Sequence, residues 1–206
     1  MALCNHSTKE ISFKVVYCGT SKSGKTTNLS YIHNKLDSHF RGGLVSLPGD
    51  KNRSQRYELL PIKGGIIEGY QSSMELYTYP GSNLEGVDGI IFVVDSTPDR
   101  MIENLEALQS TRQELERCGM DPDSIPFVFQ FNKQDLATSD PQEIDEFLGI
   151  SAPSVLTCAL SGYQVFETLD IITEIVLNNF HVSDVMRREQ IEEEVIDNSS
   201  NIALSS

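Results

Sequence analysis

Gly19-Thr20-Ser21-Lys22-Ser23-Gly24-Lys25-Thr26 reads G-x-x-x-x-G-K-T, the spacing of a phosphate-binding loop. Its flanks give that spacing a context. Ile11-Ser12-Phe13-Lys14-Val15-Val16-Tyr17-Cys18 before it is an apolar-rich strand candidate, and Thr27-Asn28-Leu29-Ser30-Tyr31-Ile32 after it starts a helix. Glycines let the backbone curl so that successive N–H groups aim inward, and the helix N-terminus adds partial positive charge for an anion. In such a loop Lys25 reaches the terminal phosphates, and the Thr26 hydroxyl takes a ligand position on Mg²⁺.

A second motif selects the base. Phe127-Val128-Phe129-Gln130-Phe131 is a short apolar strand candidate, and Asn132-Lys133-Gln134-Asp135 follows it in the pattern N-K-x-D. A carboxylate in the base plane accepts from both N1–H and the 2-amino group of guanine, and adenine offers neither donor there. That role falls to Asp135. Asn132 is expected to tie this loop to the phosphate loop, and the stem of Lys133 to cover a face of the base. Cys158-Ala159-Leu160, after the strand candidate Ser154-Val155-Leu156-Thr157, stands where GTPases place a backbone N–H against the guanine oxygen. The expected ligand is GTP or GDP with Mg²⁺.

Composition narrows the classes. The length suits one α/β domain. The formal net charge of −14 argues against binding nucleic acid or an anionic membrane through the general surface. Cys4, Cys18, Cys118 and Cys158 form no C-x-x-C pair and no metal spacing, as expected of thiols in a reducing cytosol. No stretch has the length of a membrane span, the N-terminus lacks an apolar signal core, and the C-terminus carries no prenylation box. A cytoplasmic monomer is expected.

Strand and helix patterns alternate along the chain, which implies a mainly parallel sheet covered by helices. Gly43 to Leu47 and Tyr57 to Ile62 read as edge-side strands. Lys63-Gly64-Gly65 is read as the turn of a hairpin whose partner strand is Met74 to Tyr79. Gly89 to Asp95 is a continuous apolar run, as in a central strand buried on both faces. Thr97-Pro98 opens a helix whose inner face is marked by Ile102, Leu105 and Leu108. Ser139-Asp140-Pro141 opens a short helix that Gly149 closes, and Phe166, Leu169, Ile172 and Val176 mark the last domain helix. The division is residues 1–10 as an extension, 11–180 as the domain and 181–206 as an acidic tail.

From Phe13 to Phe180 the chain resembles the MglA-type small Ras-like GTPases of bacterial gliding motility and cell polarity. The likeness rests on Gly24-Lys25-Thr26-Thr27-Asn28-Leu29, on Ser46-Leu47 to Arg53-Ser54 with Leu60-Pro61 behind it, and on Leu76-Tyr77-Thr78-Tyr79-Pro80-Gly81. Gly86-Val87-Asp88-Gly89 and Val165-Phe166-Glu167-Thr168-Leu169 add to it. It implies a Ras-like, three-layer P-loop sandwich, with one antiparallel hairpin at the edge of a mainly parallel sheet. It implies nucleotide contacts from Gly19, Ser21, Lys22, Ser23, Gly24, Lys25, Thr26, Thr27, Gly81, Asn132, Lys133, Asp135, Cys158, Ala159 and Leu160. Mg²⁺ ligands would be Thr26 and Ser54. Arg53, with Lys25, would stabilise charge on the transferring phosphoryl group as a built-in arginine finger. Implied partners are a small roadblock-fold activating protein and polarity effectors.

Three departures bear on activity. Ser54 replaces the family's threonine but keeps the hydroxyl. Ser82 replaces the glutamine that orients the attacking water, and it is too short for that task. Only Ser82, Asn83, Leu84 and Glu85 separate Gly81 from Gly86, where the family places a second-switch helix. A Ras-like strand order requires that link to cross about 20–22 Å, and its extended length of about 30 Å suffices. A helical crossover needs a dozen or more residues. The usual second-switch helix is therefore expected to be absent, leaving part of one sheet face bare unless a partner or the tail covers it. Slow GTP hydrolysis is the first expectation. The alternative is a pseudo-GTPase, an interaction module stabilised by nucleotide. A P-loop kinase ranks third.

Overall fold

The computed structural model describes residues 3–5, 7–48, 56–67, 69–79 and 84–180. Their strands are β1 (Leu3–Asn5), β2 (Glu10–Cys18), β3 (Val45–Pro48), β4 (Arg56–Ile67), β5 (Tyr70–Thr78), β6 (Gly89–Asp95), β7 (Phe127–Asn132) and β8 (Ser154–Leu156). The helices are α1 (Lys25–Lys35), α2 (Met101–Arg117), α3 (Pro141–Leu148) and α4 (165–180). The strands form one sheet in the order β3-β4-β5-β2-β6-β7-β8. Pairing is parallel from β5 through β2, β6 and β7 to β8, and antiparallel along β3-β4-β5. This is the mainly parallel, three-layer α/β architecture that the alternating pattern implies, with strands β5 and β6 flanking β2.

Burial explains the layers. β6 and β7 are buried at every position, as expected of central strands built mostly of apolar residues. One face of the sheet packs Phe13, Val15, Leu76, Ile91 and Val128 against Leu29 and Ile32 of α1 and Leu169, Ile172 and Val176 of α4. The other packs Val16, Ile90, Phe92, Phe129 and Phe131 against Leu108 and Leu115 of α2 and Ile144 and Leu148 of α3. Asp140 caps α3 by accepting from the Gln142 amide at 2.8 Å, and Gly149 ends it in the left-handed region.

Several local readings are corrected. The Lys63-Gly64-Gly65 stretch is not the hairpin turn; β4 runs on to Ile67, and the register shifts between Lys63 and Ile66. It is a bulge held from β5: Ser72 Oγ donates to the Gly65 carbonyl at 2.7 Å and Gln71 Nε2 to that of Gly64 at 2.7 Å. The chain reverses instead beside Gly69, at φ +85°. Ile102 is 66% exposed; the buried positions of α2 are Asn104, Leu108, Thr111 and Leu115. Thr97 makes no side-chain cap, because its hydroxyl donates to Asp95 at 2.9 Å. The first ten residues are not all outside the sheet: β1 pairs antiparallel with the start of β2, in the lane that β6 takes further along.

The link between β5 and β6 is short, and its described part, from Leu84, contains no helix. Leu84 and Val87 are buried in the core beneath α2 and α3, with a turn between them (Val87 N–H to the Leu84 carbonyl, 3.1 Å). The Asp88 amide donates to the Lys14 carbonyl at 2.8 Å, and the Asp88 carboxylate accepts from the Lys14 amide at 2.8 Å. On the neighbouring flank of this sheet face Tyr57, Tyr77 and Tyr79 are half-buried. Pro80, Gly81, Ser82 and Asn83 lie outside the described residues.

Gly89 begins β6 where α4 crosses the sheet. A Cβ there would lie 2.7 Å from Val176 and 3.0 Å from Ile172. Gly89→Ala is expected to cost about 1–3 kcal/mol through overpacking. Urea unfolding measures it, and an unchanged midpoint would contradict the tight fit.

Candidate functional site

The site lies at the carboxyl ends of β2, β7 and β8, where ligands bind in open α/β sheets. Residues 19–24 connect β2 to α1. Gly24 is the N-cap of α1 at φ +114°, a conformation most residues avoid, and a Cβ there would meet Asn132 Nδ2 at 2.1 Å. Only glycine lets the base loop come this close. The first turn of α1 carries no acidic residue, so its positive end is not neutralised by its own side chains. Within the loop the buried hydroxyls of Thr20 and Ser23 have no hydrogen-bond partner among the described residues. Lys25 Nζ donates to the carbonyls of Gly19 at 2.9 Å and Thr20 at 2.6 Å. Burial lowers its pKa, and the nearby Glu58 carboxylate opposes that shift. An ammonium kept at a loop of this shape, against the end of an uncompensated helix, suits a multiply charged anion.

Asn132 joins the two loops. Its Nδ2 donates to the Ser23 carbonyl at 2.7 Å, and its Oδ1 accepts from the Ala159 amide at 2.8 Å and from Thr157 Oγ1 at 3.3 Å. The phosphate-loop candidate, the end of β7 and the segment after β8 are thus tied at one side chain. Asp135 accepts from the Cys158 thiol at 3.1 Å, which orients its carboxylate. Cys158 is buried, whereas Leu160 is 78% exposed. The N–H of Ala159 is already given to Asn132.

Lys133 has a left-handed backbone, φ +72°, and its ammonium reaches Asp95 Oδ2 at 2.5 Å. Asp95, at the end of β6, is 2% exposed and lies 3.8 Å from Arg100 Nε. Arg100 Nη2 donates in turn to the Ser21 carbonyl at 3.2 Å. A buried carboxylate held by two cations spans the base loop and the phosphate loop. Asp95 and Arg100 escaped the sequence reading because each belongs to an ordinary pattern, a strand end and a helix start.

Glu58 escaped it too. It sits on β4, beside α1, and its Oε2 accepts from Thr26 Oγ1 at 3.1 Å and from Thr78 Oγ1 at 2.5 Å. The available signal was the one acidic residue of β4, beside the apolar Leu59 and Leu60. Ser21, Lys22 and Thr27 lie on the loop and the first turn of α1, and all three are exposed. Arg53, Ser54 and Gly81 lie outside the described residues. Among the described residues no cluster of three or more histidine, cysteine or acidic side chains could hold a metal ion, and no helix is long and apolar enough to cross a membrane.

No protein-family model matches the chain. It is 38% identical over 188 residues to the mutual gliding-motility protein MglA of Myxococcus xanthus (strain DK1622), across 86% of this chain and 96% of that protein.

Asn132→Ala would leave the Ser23 carbonyl and the Ala159 amide without their partner. Unpaired buried groups cost about 1–3 kcal/mol each, so a total loss of roughly 2–6 kcal/mol is expected. Denaturant unfolding of the variant without added ligand reads this directly. A loss under half a kcal/mol would mean that Asn132 is not the tie between the loops.

Proposed function

The chain belongs to the MglA-type family of small Ras-like GTPases, and from that premise we propose that it binds GTP and GDP with Mg²⁺ and hydrolyses GTP slowly. The observation that carries the reading is Asn132, which holds a phosphate-loop candidate and a base-reading carboxylate in one frame. The fit of each part supports it. Lys25 and the loop amides would hold the β- and γ-phosphates. Asp135, kept in orientation by Cys158, would accept from the guanine edge. The Lys133 stem would cover a face of the base, while its charge is held by Asp95.

For the cation, the Thr26 hydroxyl is the expected protein ligand, joined by Ser54 from the sequence. Oxygen donors of this kind suit Mg²⁺, which prefers hard ligands and retains several waters. When bound, the ion would supply charge neutralisation between the phosphates. Hydrolysis is in-line attack of water on the γ-phosphorus, with cleavage of the bond to the bridging oxygen. Lys25 would stabilise the developing charge, and Arg53 is the candidate for a second cation. Ser82 cannot position the attacking water as a glutamine does, so turnover is slow.

The gliding-motility name of the relative supports a regulatory switch in bacterial motility. A role in cell polarity, a cytoplasmic location and a monomeric state are proposed with it. A roadblock-fold activator and polarity effectors are the proposed partners.

Three measurements test this reading. GTP or GDP at a thousand times its Kd should stabilise the protein by about 4 kcal/mol in a thermal-shift series, with little effect of ATP. Asp135→Asn should shift the preference from guanine to xanthine nucleotides, and guanine preference surviving that change would refute the assignment. In multiple-turnover assays the wild type should release phosphate above a Lys25→Ala control. Equal rates would remove the enzymatic half of the proposal and leave a nucleotide-bound interaction module.

A further inference from the structure

β6 lies between β2 and β7 in the sheet, so Asp95 at its carboxyl end stands between the phosphate-loop candidate and the base loop. It belongs to neither motif. Its main chain is held by α2: the Asp95 amide donates to Asn104 Oδ1 at 3.1 Å, and Asn104 Nδ2 donates to the Asp95 carbonyl at 2.8 Å. Asn104 is fully buried, so this reciprocal pair fixes where the strand ends. The carboxylate oxygens take different partners. Oδ1 accepts from the Thr97 hydroxyl at 2.9 Å, and Oδ2 from the Lys133 ammonium at 2.5 Å.

A buried ion pair contributes little net stability, so the geometry it fixes matters more than the energy it adds. What Asp95 fixes is Lys133. That residue has a left-handed backbone, φ +72°, inside the base loop, two positions before Asp135. Its side chain is 28% exposed, and its ammonium returns to the end of β6. The stem is therefore anchored at both ends and has lost most of the rotamer freedom of a surface lysine. This stem is the part that the proposed function lays against the base.

We propose that Asp95 is a positioning residue for the guanine base, acting through Lys133, and that its bond to that lysine sets how long the nucleotide stays bound. This rests on the nucleotide reading above. Asp95 itself touches no ligand. It keeps the Lys133 stem stretched before the nucleotide arrives, so binding orders one side chain fewer. A lysine without that anchor would cover the base for only part of the time. A merely structural Asp95 would close β6 against α2 and affect unfolding alone.

The test measures release of a fluorescent GDP analogue from the full chain into excess GDP, once in Mg²⁺ and once in EDTA. Asp95→Asn removes the charge and keeps an oxygen for Thr97. It should speed release by about 10–100-fold, as for the loss of one charge-assisted hydrogen bond. The factor should be the same with and without metal, because Asp95 acts on the base side, and association should change by less than about threefold. Lys133→Met keeps a long stem without the ammonium and should speed release to a similar extent. The double variant should release no faster than the faster single one, since the two residues act as a unit. Urea unfolding without nucleotide shows that each variant is folded. Wild-type release from Asp95→Asn overturns the proposal, as does a double variant whose two effects multiply. Should Asp95→Asn not fold, Lys133→Met decides alone, and wild-type release from it overturns the proposal. Wild-type protein that retains no guanine nucleotide in either condition overturns the nucleotide reading itself, a separate and recognisable result.

Discussion

The hydrogen bond from Asn132 Nδ2 to the Ser23 carbonyl is the constraint on which the site depends. It joins the carboxyl ends of β2 and β7, strands separated in the sheet by β6. The contact requires a bare Cα at Gly24, since any Cβ there would occupy the Asn132 amide position. β6, buried at every position, lies between those strands, and the two loops close over its end. Gln130, on the same strand as Asn132, donates to Asn28 Oδ1 at 3.0 Å and secures α1 from below. Glycine loop, apolar strand and asparagine therefore form one device.

The frame of this device was legible in the residues because each part obeys a strong local rule. The continuous apolar run of Gly89 to Asp95 can only be a central strand, and strand–glycine turn–helix has few other uses. Asp140-Pro141 and Gly149 bracket α3 through capping chemistry that operates within a few residues. Reading failed where a longer-range contact overrode the local preference. Two adjacent glycines at 64 and 65 look like a turn, yet hydrogen bonds from Gln71 and Ser72 on the opposite strand hold them as a bulge. Ile102 matches the helical spacing, but the entry of α2 through the short turn at Pro98–Arg100 rotates that residue outward.

Charge pairing was hidden for a related reason. Asp95 and Arg100 are close in the chain, but Lys133 is distant and meets Asp95 only because β6 and β7 are neighbours with their ends in register, Asp95 beside Asn132. Glu58 and Thr78 likewise meet through an antiparallel register that no motif encodes.

The shortened link between β5 and β6 changes what the sheet must do for itself. Leu84 and Val87 fill core space, and Lys14 closes the adjoining surface, its ammonium 5.3 Å from the centre of the Tyr77 ring and 2.8 Å from the Glu85 carbonyl. Burial lowers the Lys14 pKa, opposed by Glu75 and Asp88. Tyr77 in turn donates to Glu75 at 2.7 Å and leans on Tyr57. Aromatic bodies with polar tips thus stand on this flank, which tolerates water without exposing a large apolar patch. The link is fastened near both ends, by the Tyr79 amide on the Tyr17 carbonyl and by Asp88 on Lys14.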